Sequence, residues 1–151
     1  MKKIFNLVIA TAFVSGAFAQ TTAVKDVPAM VTTTLTKTFP TATNATWTLE
    51  NSVYTATFTA DKVNHSLKID SKGTLVQTST ELAKAEVPGP IATVIAGDYS
   101  RYGITSVAKV EKDGETTYKA FFTQPDGIHY ILFNKDGKAI GKGAPGIDAR
   151  N

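Results

Sequence analysis

The chain has no cysteine, so it can form no disulfide staple and offers no thiolate nucleophile or thiolate metal site. A lipoprotein anchored through a cysteine after its leader is excluded on the same ground. Long apolar runs are also missing. The longest mainly apolar stretch, Ile4 to Val14, falls short of the ~20 residues that a transmembrane helix needs. There is no Gly-x-Ser-x-Gly elbow, and no glycine-rich phosphate loop or calcium-loop spacing. Lys and Arg are scattered without the basic stripe that phosphate backbones require, so nucleic acid is not an expected partner.

What the N-terminus does have is an export leader. Lys2 and Lys3 precede the apolar stretch, and Ala17-Phe18-Ala19 supplies the small-x-small pattern of a signal peptidase site. Cleavage after Ala19 gives an expected chain that starts at Gln20 and is periplasmic or secreted, with no stable membrane insertion. Loss of Lys2 and Lys3 lowers the formal charge from +3 to +1. Stability then has to come from a hydrophobic core, for which the remaining length suffices.

The remainder repeats itself. Val27-Pro28 recurs sixty residues on as Val87-Pro88, with Val31, Leu35 and Phe39 matched by Ile91, Ile95 and Tyr99. At an offset of sixty-four, Tyr54, Ala56 and Phe58 match Tyr118, Ala120 and Phe122, and His65, Leu67 and Ile69 match His129, Ile131 and Phe133. The four-residue difference falls between Tyr99 and Tyr118, a stretch that contains the turn Lys112-Asp113-Gly114. Val27, Val31, Leu35 and Phe39 are four apart, which suits a short amphipathic helix after Pro28. Pro40 ends it. The period then becomes two, with threonines alternating against Trp47, Tyr54, Phe58, Leu67 and Ile69. Glu50-Asn51-Ser52, Asp61-Lys62, Ser71-Lys72-Gly73 and Gln124-Pro125-Asp126-Gly127 punctuate the runs as short turns between antiparallel neighbours.

The expected fold class is α+β: a tandem repeat of one helix followed by three or four antiparallel strands, with the helices packed on one sheet face. The expected organisation is a signal peptide over 1–19, a lead-in over 20–26, repeats over 27–80 and 87–140, and a flexible tail over 141–151. The sequence Val-Pro, short helix, Phe39-Pro40-x-Ala42, Trp47, Tyr54-x-Ala56-x-Phe58 and Asp70-Ser71-Lys72-Gly73 resembles the PepSY-like, β-lactamase-inhibitor-like domains of bacterial envelope proteins. That resemblance spans roughly 27–140. It implies an envelope module of helix-plus-four-strand repeats, with the joining of the two sheets into one left open, and, by analogy of fold, inhibition of a β-lactamase or peptidase. The second half departs from it: Tyr99-Ser100 replaces the Phe-Pro step, and no tryptophan is present. No inhibitory residue carries over.

Candidate chemistry is sparse. His65 and His129 hold matching positions about four strands apart, roughly 19 Å, too far to share a metal with bonds of about 2 Å. Each precedes an apolar strand, where a histidine commonly sits at a core edge. Nothing supports a Ser-His-Asp arrangement, so the chain is expected not to be an enzyme, and no cofactor or metal is expected. The halves differ on the face away from the helices. Thr57, Ser66 and Lys68 stand in the first where Phe121, Tyr130 and Leu132 stand in the second. Those three form the candidate partner-binding patch, unless the tail with Pro145 and Ile147 or a sheet edge covers them, or the register slips by one. The reading is an exported binding module for an envelope protein or peptide, with hydrolase inhibition as one version. The alternative is a small-ligand or stress-response module with a pocket near Trp47 and Tyr54.

Overall fold

The computed structural model describes residues 20–22 and 26–143, with side chains from residue 26 on. The expected leader over 1–19 and most of the expected tail lie outside the described residues.

Nine strands form one antiparallel sheet in sequence order. They are β1 (Gln20–Thr22), β2 (Thr43–Glu50), β3 (Val53–Ala60), β4 (Val63–Asp70), β5 (Leu75–Leu82), β6 (Ser106–Lys112), β7 (Glu115–Gln124), β8 (Gly127–Asn134) and β9 (Ala139–Gly143). Helix α1 (Ala29–Thr38) precedes β2, and helix α2 (Gly89–Gly97) lies between β5 and β6. The fold class read from the sequence is thereby corrected. The molecule is a single, predominantly β sheet with two short helices, not a tandem of helix-plus-strand units. The physical reason is the β5–β6 pairing, which runs from Leu82↔Val107 to Thr78↔Glu111. No sheet edge exists where the boundary between units was drawn.

Turn chemistry explains the meander. Asn51-Ser52, Asp61-Lys62 and Asp113-Gly114 all have positive φ, the two-residue turn whose twist matches that of antiparallel strands. The helices are weaker elements held by packing. In α1, Thr38 donates its hydroxyl to the carbonyl of Thr34 (2.7 Å), four residues back, a habit that weakens helices. Burial of Val31 and Leu35, 0% and 5% exposed, offsets this at about 1.5–3 kcal/mol each. Pro90 suits the first turn of α2, where Ile91 is the fully buried anchor.

Strand register assigns the faces. Trp47↔Ala56, Ala56↔Leu67 and Tyr54↔Ile69 place one set of side chains beneath α1. Following the pairing across, Leu67↔Thr78, Leu82↔Val107, Val107↔Ala120 and Ala120↔Ile131 bring the α2 cluster onto the same face. Between the two clusters that face is polar, with Thr78 and Thr80 on β5 and Lys109 ion-paired to Glu111 at 3.2 Å on β6. The opposite face carries no described helix.

Two glycines fix how each helix start meets the sheet. Gly73 (φ +84°) lies so close to α1 that a Cβ would stand 2.9 Å from the Met30 carbonyl oxygen. Gly137 (φ +81°) meets the Pro90 carbonyl of α2 in the same way, at 2.8 Å. Gly141–Gly143, assigned to the tail from the sequence, belong instead to β9, paired as Leu132↔Gly141 and Tyr130↔Gly143.

Candidate partner-binding face

Phe121 on β7 pairs directly with Tyr130 on β8, and Leu132 lies two residues further on. Strand alternation therefore puts all three on the open face. Their exposure differs from the simple picture of three bare apolar groups. Tyr130 is only 9% exposed, while Phe121 and Leu132 are half-buried. The Phe121 and Tyr130 rings meet edge-to-face with centroids 6.0 Å apart. Lys119 reaches over the same ring, its Nζ 4.3 Å from the Tyr130 centroid, a cation–π contact. At the sheet edge the Tyr130 ring lies against Gly143 so closely that a Cβ there would overlap it.

The sequence reading missed Ile128. It is 60% exposed and shares the face of Tyr130 by alternation along β8. The signal was present, since the same offset of sixty-four sets Ile128 against the polar Asn64. Lys119 was missed as well. Its stem crosses the face between Ala108 and Leu132, its register partners on either side. Ala108 and Val110, also on this face, are 6% and 4% exposed.

The histidines occupy separate aromatic edges. His65 stacks on Phe58 at 5.5 Å and touches Phe39 at 4.6 Å, with Nδ1 3.2 Å from the Thr80 hydroxyl. Burial holds its pKa below the ordinary value, against the opposing pull of the Ala60 backbone and Asp61. His129 stacks on Phe122 at 5.6 Å and holds Asp126 at 2.8 Å through Nε2. That hydrogen bond is the main cause of the lowered Asp126 pKa. The two rings stand on β4 and β8, with three strands between them. Trp47 is 1% exposed and packed with Val31, Leu35, Ala56 and Phe58, and Tyr54 lies against the same cluster. These side chains form the cluster beneath α1. An open indentation lies elsewhere, at the end of the β5–β6 pairing, between Leu75, Gln77, Thr78 and Lys112-Asp113-Gly114.

No family model and no curated protein matches the chain. Solved structures do. A candidate periplasmic protein of Bacteroides eggerthii superposes with a TM-score of 0.67 at 21% identity, covering 77% of this chain and 87% of its own. A DUF2874 family protein of Bacteroides uniformis gives 0.66 at 24% identity, with 76% and 87% covered. A BLIP-like protein of Bacteroides fragilis gives 0.62 at 21% identity, with 80% and 89% covered. Among the described residues no helix is long and apolar enough to cross a membrane. At these identities the likeness is one of fold: the chain has the fold of BLIP-like and DUF2874 proteins.

Proposed function

We propose that the protein is a non-enzymatic binding module of the cell envelope that recognises a protein or peptide on the open sheet face. The observation that carries this reading is the contrast between the faces. Both helices pack on one, while the other presents Ile128, Phe121 and Leu132 around the Tyr130 ring. Clustered exposed apolar groups are characteristic of contact surfaces. The similar fold of a periplasmic candidate and of a BLIP-like protein supports the envelope setting and makes hydrolase inhibition one version of the activity. Membership of the PepSY-like group is part of the same proposal and rests on the motif residues around Phe39, Trp47 and Tyr54.

Magnitudes limit what the patch does alone. Full burial of a large apolar side chain contributes about 1.5–3 kcal/mol, and three that are already partly buried contribute on the order of 3–5 kcal/mol. Association costs about 4–15 kcal/mol, so further contacts must complete the interface. The test replaces Phe121, Ile128 and Leu132 with threonine and leaves the buried Tyr130 in place. The triple variant should melt within a few degrees of the wild type yet lose the partners that the wild type retains from extracts of the source cells. Retention of the same partners by a folded triple variant rules this face out.

A further inference from the structure

Cleavage after Ala19, at the Ala17-Phe18-Ala19 site, leaves the new α-amine on Gln20. That residue is also where the sheet begins. Strand β1 spans Gln20–Thr22 and stands at one end of the strand order. It pairs with β2 through Gln20↔Leu49, Thr21↔Thr48 and Thr22↔Trp47. The cleaved end is therefore a rung of the ladder at the edge of the sheet, not an overhang beyond it. Loss of Gln20 and Thr21 to an aminopeptidase would leave Thr22↔Trp47 as the last rung, in register with a tryptophan that is 1% exposed.

We infer that Gln20 is a modification site: once exposed, it cyclises to pyroglutamate, and the sheet's first rung is a lactam. The α-nitrogen, as the neutral amine, attacks Cδ of its own side-chain carboxamide. The N–Cδ bond closes a five-membered ring, the Cδ–Nε2 bond breaks, and Nε2 leaves as ammonia with a proton taken from the amine. No oxidant or co-reactant is needed. Asparagine at this position would need a strained four-membered ring, and glutamate would have to expel hydroxide in place of ammonia. An α-ammonium with an ordinary pKa of about 7.7–8.0 is thereby replaced by an uncharged amide N–H at the rung opposite Leu49. With no free α-amine, the edge strand no longer offers what an aminopeptidase grips. Export is the only point shared with the binding role proposed above, so the open face stands or falls separately.

The experiment expresses the full chain, leader included, in the source cells and measures the intact mass and the N-terminal peptide of the exported protein. The mass should equal that of residues 20–151 less one ammonia, with the loss located on Gln20 by fragmentation of the peptide. Stepwise degradation from the N-terminus should be blocked, and a pyroglutamyl peptidase acting on the released peptide should unblock it at Thr21. A Gln20→Ala variant, exported the same way, should carry a free α-amine and show no ammonia loss. A free α-amine on Gln20 in the exported wild type overturns the cyclisation while leaving the cleavage site in place. A first residue other than Gln20 overturns both, and a mass that retains residues 1–19 removes export as well. Ammonia loss that persists in the Gln20→Ala variant assigns it to another amide and sinks the inference too.

Discussion

Gly73 carries an unusual load for a single residue. Its φ of +84° disfavours any L side chain, a Cβ would press on the Met30 carbonyl, and its own carbonyl accepts the Thr34 hydroxyl at 2.6 Å. Gly73→Ala should destabilise the fold by about 1–3 kcal/mol, read as a lowered urea midpoint. Titration supplies a second prediction at this scale. Asp70 is held below the ordinary carboxylate range chiefly by the Thr74 N–H, with Lys72 N–H assisting; its contribution is therefore present above about pH 3.9 and is lost as pH falls through the lowered value. Asp70→Asn should flatten the acid limb of the stability curve. For His65 the unfolded state binds more protons below about pH 6.5, so stability declines from there through the lowered pKa. Replacing His65 with glutamine should remove that part of the slope; an unchanged slope would assign it to other groups.

Among the elements, the hairpins show where sequence reading works best. Two-residue turns announce themselves, and the alternation of threonine with aromatics states which side of each strand faces a helix, so core residues such as Trp47, Leu67 and Ile131 were legible. The β2–β3 turn places Ser52 at φ +64°, a region that favours glycine. Ser52→Gly creates the preferred Asn-Gly pair and should stabilise by about 0.5–1 kcal/mol, measurable as a raised melting temperature. Sheet closure was the harder element. β5 and β6 are separated by α2, and β5 brings mainly Thr78, Ser79, Thr80 and Glu81 to their pairing, polar residues that carry no hydrophobic signal of partnership. Backbone hydrogen bonds make that seam, and periodicity says nothing about which strands share them. The candidate face was half legible for a related reason. Alternation placed Phe121, Tyr130 and Leu132 on one side, but Tyr130's burial under Lys119 depends on cross-strand neighbours that one strand's pattern does not reveal.

For the whole molecule, the continuous sheet predicts shared stability between clusters that do not touch through their cores. Trp47 is the single tryptophan and sits in the α1 cluster, whereas Phe133, 0% exposed, sits in the α2 cluster. Phe133→Ala should cost about 3–5 kcal/mol and shift the unfolding midpoint followed by Trp47 fluorescence as far as that followed by circular dichroism. Two separated transitions would show that the β5–β6 seam does not couple the halves.

The Tyr130 ring against Gly143 has a spectroscopic consequence. Protons on the Gly143 α-carbon lie within reach of the Tyr130 ring current, so their resonance should be displaced from that of other glycines. Phe121 and Lys119 both contact that ring, so a ligand that displaces either is expected to move the line. One glycine at the sheet edge thereby becomes a built-in reporter of occupancy on the open face.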